Sequence, residues 1–133
     1  MKVNFNQKLI LLNKEGKFLA LKAAYKGLKW DLPGGAVDLP ETHLEAIKRE
    51  LKEEAGLVID DATPIDVGTA YSQDEDAYYI FIGYVSENAN TDSKITLSGE
   101  HTKFAWVNVK EFLELETAAY LKDFVKKFAE GRF

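Results

Sequence analysis

The most constraining stretch of the sequence runs from Glu41 to Ala55, where apolar residues recur at steps of three and four. The repeating positions are Leu44, Ile47, Leu51 and Ala55. This spacing puts them on one stripe of an α-helix, and such a stripe is normally buried. Gly56 is typical of a helix C-terminus, and Asp38 with Glu41 resembles a capping box at the start. We therefore predict an amphipathic helix over 41–55.

Three glutamates lie on one face of this predicted helix. Glu50, Glu53 and Glu54 are spaced i, i+3 and i+4, and their face adjoins the apolar stripe. They occupy the last turns, where the negative end of the helix dipole makes each carboxylate unfavourable by about 0.3–1 kcal/mol. A solvated charged face is the ordinary explanation of such a run. A bound divalent cation is the alternative, because it would make the same three charges favourable.

The rest of the chain is mostly typical of β-strands. The apolar runs 8–12 and 17–21 flank turn residues at 13–16 and predict a β-hairpin. Further strand candidates are 57–59, 65–71, 77–85, 95–97 and 103–107. A closing helix is predicted over about 117–130. Strands around a central helix indicate the α+β class, and the absence of a linker or repeat indicates a single domain over 1–133.

Composition excludes several classes of protein. The 133 residues contain no cysteine, which excludes a disulfide scaffold and thiolate zinc sites and fits a reducing, cytoplasmic location. No apolar run approaches the ~20 residues of a membrane span, and the N-terminus lacks a signal-peptide pattern, so we expect no membrane partner. The net charge of −5 argues against a nucleic-acid partner, because binding to a phosphate backbone is driven by positive charge.

A glycine-rich segment precedes the helix and completes a motif. Gly34 and Gly35 follow Trp30-Asp-Leu-Pro, and glycines let the backbone approach a ligand closely. From Gly35 to Leu57 the sequence is GAVDLPETHLEAIKRELKEEAGL, which resembles the Nudix box, G-x5-E-x7-R-E-U-x-E-E-x-G-U with U apolar. Its fixed positions are met by Gly35, Glu41, Arg49, Glu50, Glu53, Glu54 and Gly56. Chance agreement at seven positions is about one in a billion per start. The chain therefore resembles MutT-like Nudix hydrolases.

The resemblance implies a fold and an activity. The implied fold is an α/β/α sandwich around a mixed β-sheet. The implied reaction is hydrolysis of the diphosphate bond in a nucleoside diphosphate linked to another group. The substrate would then be a small molecule: a nucleoside triphosphate, a nucleotide sugar or a dinucleoside polyphosphate. Mg²⁺ is the implied cofactor, with Mn²⁺ as the alternative, and both suit oxygen ligands better than zinc does.

The resemblance also implies roles for individual residues. Glu50, Glu53 and Glu54 would hold metal. Arg49 would orient a neighbouring glutamate by ion pairing, and Glu41 would act in the outer shell. The catalytic base would be Glu50 or, on a later loop, Glu100. Gly34 and Gly35 would shape the substrate-binding loop.

Two further matters stay open at the level of sequence. A non-catalytic nucleotide-sensing module is the alternative function, although such relatives usually lose box glutamates and this chain has lost none. Dimers are frequent in the family, so a homodimer is one of the open oligomeric states.

Several further residues are weaker candidates for the site. His101 is expected to be a structural residue, with a general acid as the alternative. Candidates for base stacking are Tyr25, Tyr71, Tyr78 and Tyr79, although sheet packing is expected for Tyr78 and Tyr79. Candidates for phosphate contact are Lys22, Lys26 and Lys29.

Overall fold

The computed structural model describes residues 1–24, 29–87 and 94–131. The strands are β1 (Lys2–Leu11), β2 (Phe18–Ala23), β3 (Trp30–Asp31), β4 (Gly34–Ala36), β5 (Thr63–Ser72), β6 (Ala77–Ser86) and β7 (His101–Val107). The helices are α1 (His43–Ala55), α2 (Val109–Glu114) and α3 (Ala119–Glu130). No helix among the described residues has the length and hydropathy that a membrane crossing requires.

Two β-sheets carry the fold. The larger sheet has the strand order β4-β1-β6-β5, in which β1 runs parallel to β6 and the other pairs are antiparallel. The smaller sheet is antiparallel, with the order β3-β2-β7. The α+β class and the mixed sheet predicted from the sequence are therefore observed.

Alternation along β1 places two helices on opposite sides of the structure. Leu9 and Leu11 belong to a core that includes Ile47 of α1, whereas Ile10 belongs to a second core that includes Phe124 of α3. Successive side chains of a strand point to opposite faces, so α1 and α3 cover opposite faces of the sheet. Each of these fully buried side chains stabilises the fold by roughly 1.5–3 kcal/mol.

The caps of α1 differ in part from the prediction. Thr42 is the N-cap and forms a capping box with Glu45, in which each side chain accepts the other's backbone N–H. The predicted box of Asp38 and Glu41 was wrong, because these residues hydrogen-bond each other in a turn before the helix. Gly56 ends the helix as predicted, with a φ of 71° in the left-handed region.

The predicted hairpin was wrong in its pairing. Asn13 does organise a turn, since its side chain accepts the backbone N–H groups of Glu15 and Lys17. The flanking strands nevertheless enter different sheets and meet at an isolated bridge between Leu12 and Phe18. β1 pairs over its whole length with the distant β6, which gives it a far longer ladder than the hairpin would.

Two other predicted strands are absent from the described residues. Residues 57–59 and 95–97 form no strand, but Leu57 and Ile59 are buried and Ile95 packs against the same core. Their apolar character therefore signalled burial and not pairing. Residues 109–114, for which no element was predicted, form α2.

Candidate active site

Gly34 and Gly35, predicted to shape a loop, form strand β4, which brings backbone directly against α1. Gly34 has a φ of 147°, and a Cβ there would lie 1.9 Å from the carbonyl oxygen of Gln7. The N–H of Gly34 donates to Glu54 Oε1 at 2.8 Å. A Cβ on Gly35 would lie 2.7 Å from Glu50 Oε1. The absence of side chains at these two glycines therefore lets the backbone lie close to α1, where Gly34 hydrogen-bonds Glu54 and Gly35 leaves room for Glu50.

Arg49 connects most of the acidic residues of the box. Its Nε lies 2.7 Å from Glu41 Oε2, and its Nη2 lies 3.0 Å from Glu41 Oε1. Its Nη1 lies 3.2 Å from Glu50 Oε1 and 3.3 Å from Glu53 Oε2. A planar guanidinium with five donors suits such a fork. Glu41 therefore anchors Arg49, and Arg49 orients Glu50 and Glu53.

The three glutamates of the acidic face differ in exposure. The Glu53 side chain is 59% exposed, the Glu50 side chain is 16% exposed, and Glu54 is buried. Glu50 and Glu54 therefore point into the site, whereas Glu53 lies at its rim. The helical spacing put Glu54 at the edge of the core, and the structure places it deeper than that.

Burial changes the acid–base properties of the two inner carboxylates. It raises the pKa of Glu54 to about 8, because the ionised carboxylate loses its hydration. The N–H of Gly34 and the charge of Lys8 oppose this shift, and the charge of Glu50 adds to it. Burial also raises the pKa of Glu50, with Arg49 opposing. A divalent cation between these groups would favour their ionised forms.

A buried ion pair lies behind the acidic face. Lys8 is buried, and its Nζ lies 2.9 Å from both carboxylate oxygens of Asp31. Burial alone would lower the pKa of Lys8, but the attraction of Asp31 and of Tyr120 raises it overall. Sequence reasoning missed this pair. The available signal was a lysine at the start of the apolar run of residues 8–12.

The start of β7 adds two more ligand groups. Glu54, Glu100 and His101 each place one ligand atom within 4.8 Å of the others. His101 Nε2 lies 3.7 Å from Glu54 Oε2, and burial lowers the pKa of His101, which favours the neutral ring. The N–H of Ser98 donates to the carbonyl of Glu54 and so ties this segment to the end of α1.

The structure therefore assembles most of the residues predicted from the sequence. Glu50 and Glu54 lie against Gly35 and Gly34 of β4, and Glu100 lies near Glu54 from a distant segment. His101, expected to be structural, has both a hydrogen-bond contact with Ser98 and a place in this cluster. The weaker candidates Tyr25 and Lys26 lie outside the described residues.

A cavity of about 540 Å³ opens between the four-stranded sheet and α3. Its walls include Asn6, Lys8, Tyr79, Phe81, Tyr120 and Asp123. The volume falls within the roughly 300–1,000 Å³ of small-molecule sites. Lys8 links the cavity to the acidic face, because its charge also acts on Glu50 and Glu54.

Comparison with known proteins agrees with this geometry. Residues 6–128 match the model of the NUDIX domain. The chain belongs to the NUDIX family. It is 35% identical over 115 residues to the nucleoside triphosphatase NudI of Salmonella arizonae, an alignment that covers 77% of this chain and 80% of that protein.

Solved structures show the same fold. The MutT protein from Methanosarcina mazei superposes with a TM-score of 0.85 at 27% identity, covering 98% of this chain and 95% of that one. The NUDIX domain of Shewanella oneidensis NrtR, complexed with ADP ribose, superposes with a TM-score of 0.80 at 15% identity, covering 98% and 88%. The predicted family and sandwich fold are thus confirmed.

Family membership also defines the kind of protein. The NUDIX domain and the NudI and MutT relatives indicate an enzyme, a pyrophosphohydrolase. Such enzymes generally use divalent metals, and the acidic cluster at Glu54, Glu100 and His101 is a candidate place for one. The roles of the individual residues stay predictions.

The raised pKa of Glu54 predicts a pH-dependent stability for the metal-free protein. The carboxyl has an ordinary pKa of 4.5 and a pKa of about 8 in the fold, so the native state holds an extra proton between these values. Its contribution to stability is complete below pH 4.5 and is lost as the pH rises through 8. We expect urea unfolding in EDTA to show a loss of a few kcal/mol between pH 5 and 8.

The variant Glu54→Gln isolates this effect. His101 acts in the opposite direction, because its lowered pKa makes its contribution grow as the pH rises. The difference between wild type and Glu54→Gln removes the contribution of His101 that both proteins share. Equal pH slopes for the two proteins would contradict the assignment.

Proposed function

We propose that this chain is a Mg²⁺-dependent hydrolase that cleaves the diphosphate linkage of a nucleoside triphosphate or a related nucleoside diphosphate derivative. The observation that carries the proposal is the buried carboxylate of Glu54. It is oriented by the Gly34 N–H, lies next to Glu100 and His101, and has a raised pKa. The NudI relative, a nucleoside triphosphatase by name, supports the choice of substrate class.

The donor groups fit a hard divalent cation. Glu50, Glu53 and Glu54 would hold Mg²⁺ through carboxylate oxygens, with Glu100 as a further oxygen donor. A cation there would stabilise the ionised form of Glu54, which burial disfavours. Bound Mg²⁺ supplies charge neutralisation at phosphoryl oxygens and a lowered pKa for coordinated water. Mn²⁺ is the alternative, since His101 offers an imidazole nitrogen.

The protein groups around the carboxylates have positioning and proton-transfer roles in this proposal. Arg49, itself anchored by Glu41, holds Glu50 in one orientation. Glu50 or Glu100 takes the proton of the attacking water. The pH–rate profiles of Glu50→Gln and Glu100→Gln distinguish the two, because only loss of the base removes the acidic limb.

The cavity beside Lys8 would take the nucleoside part of the substrate. Tyr79, Phe81 and Tyr120 give it aromatic walls, and aromatic faces stack well on nucleobases. Lys8 lies between this cavity and the carboxylates of α1, so a ligand there could extend its phosphates toward the acidic face. A small-molecule substrate and a cytoplasmic location complete the proposal, the latter resting on the cysteine-free composition.

A substrate panel tests the proposed activity. Nucleoside triphosphates, nucleotide sugars and dinucleoside polyphosphates are assayed with Mg²⁺ and with Mn²⁺, and both products are identified to learn which phosphorus is attacked. We expect turnover of at least one nucleoside triphosphate, abolished by EDTA. Glu54→Gln, purified in the same way, controls for contaminating phosphatases. Tight binding without turnover across the panel would reject the proposal in favour of a nucleotide-sensing module.

A further inference from the structure

Among the residues that the structure describes, one face of the four-stranded sheet is only half covered. Residues paired in register share a face, so Val3 lies with Tyr78 and Tyr71, and Phe5 lies with Ile80. The same face continues to Leu9 and Leu11, where α1 covers it. At the other end of this face, which also carries Val67 of β5, four side chains are about half exposed or more. Their exposed fractions are Val3 49%, Phe5 50%, Val67 65% and Tyr71 52%.

We call this exposed region the open-face patch. It consists of Val3, Phe5, Val67, Tyr71, Tyr78 and Ile80. A sheet face that is meant for water normally carries polar side chains in alternation with buried apolar ones. Here β6 is apolar on both faces, because its opposite face carries Tyr79 and Phe81, whereas β1 is apolar only on the open face and carries Asn4 and Asn6 on the other. This pattern is typical of a face that is covered in the working state of the protein.

From these observations we propose that the open-face patch is the interface of a twofold homodimer of this chain. Judged from the exposed fractions, its side chains expose roughly 500 Å², which is near the upper end for the largest apolar patch of a monomer. Two copies would therefore bury about 1,000 Å² from these side chains alone, the area at which interfaces become specific. A polar rim would bring the total to standard size.

Charge favours a second copy over other occupants. The patch contains no ionisable group except the two tyrosines, so contact between the patch side chains of two copies brings no like charges together, although the net charge of each chain is −5. The adjoining turn, Asp74 to Asp76, is acidic and exposed, which is unfavourable for an anionic membrane surface. Stacked sheets about 10 Å apart, with strands crossing at about 30°, are the ordinary packing for such faces.

Two exposed valines with nearly equal exposure provide a matched test. Val67 lies in the patch at 65% exposure, and Val58 lies outside it, after α1, at 61% exposure. In a twofold interface Val67→Glu buries two unpaired carboxylates, whereas Val58→Glu leaves both in water. Sedimentation equilibrium should give wild type and Val58→Glu about twice the 15.0 kDa of one chain at micromolar concentration, and Val67→Glu the monomer mass. We expect the dissociation constant of the dimer to be at least about 10²-fold higher for Val67→Glu than for wild type.

A second measurement uses the wild-type protein alone. Hydroxyl-radical footprinting across a concentration series should show Phe5 and Tyr71 becoming protected as the dimer forms. Tyr120, which is 45% exposed on the α3 side, is the internal control and should not change. Three results would each overturn the proposal. The first is a wild type that stays monomeric at all concentrations, and the second is a Val67→Glu variant that dimerises normally. The third is binding of the wild type to neutral phosphatidylcholine vesicles that Val67→Glu abolishes. The test does not depend on the proposed activity.

Discussion

Glu54→Gln should lower kcat by about 10³-fold or more and leave the fold intact. Glutamine has the same shape, and its amide oxygen can still accept the N–H of Gly34. The substitution replaces one carboxylate oxygen by an NH2 group, so it removes the ionisable group and one of the oxygen donors that we propose as metal ligands. A metal ligand contributes several kcal/mol to the stabilisation of transition-state charge, and 1.36 kcal/mol corresponds to tenfold in rate. Steady-state kinetics at saturating Mg²⁺ measures the loss.

Two controls accompany this variant. Glu114→Gln makes the same charge change at an exposed position of α2 and should stay within about twofold of wild type. Glu53→Gln should also lose most turnover, although Glu53 lies at the rim of the site. Calorimetric titration with Mg²⁺, with and without nucleotide, should give heat for wild type and a much weaker signal for Glu54→Gln. Near-normal rates for both glutamate variants would refute the ligand assignment.

Gly34→Ala should destabilise the protein more than any surface substitution in this chain. The new Cβ would lie 1.9 Å from the carbonyl oxygen of Gln7, and the φ of 147° is a conformation that alanine rarely adopts. β4 must therefore separate from β1, and the hydrogen bond from the Gly34 N–H to Glu54 is lost with it. We expect a loss of about 3 kcal/mol or more in the free energy of unfolding.

Gly99→Ala is the matched control. A Cβ on Gly99 would meet no atom within 4 Å, and its φ is not in the left-handed region. Urea unfolding of both variants, in Mg²⁺ and in EDTA, gives the comparison. Gly99→Ala should stay within about 0.5 kcal/mol of wild type. Unfolding of Gly34→Ala at the same urea concentration as wild type would contradict the close approach of β4 to β1.

The central helix was predictable because its signals are local. Apolar residues at helical spacing and a terminal Gly56 define α1 without knowledge of any partner. The position of Glu50, Glu53 and Glu54 on one face follows from the same period. The resemblance to the Nudix box added the fold and the family, which the comparisons confirmed.

Other features could not be read from local pattern because they depend on distant contacts. The hairpin prediction was wrong because β1 pairs with β6, which lies about 75 residues later in the sequence. The segments 57–59 and 95–97 are apolar because they are buried beside α1, and burial alone does not distinguish a strand from an irregular segment. The Lys8–Asp31 pair went unnoticed for a similar reason, as its members belong to different sheets.

Local sequence is enough to say which residues of α1 face one another, because a helix fixes the angle between side chains three and four positions apart. The depth at which each carboxylate is buried, and what lies opposite it, depend on contacts with the rest of the fold. Glu53 is open to water while Glu54 is enclosed by Gly34 of β4 and the start of β7, so identical residues on one helix face acquire different surroundings. Dehydration and neighbouring charges set these properties, and both depend on chain segments brought together by folding.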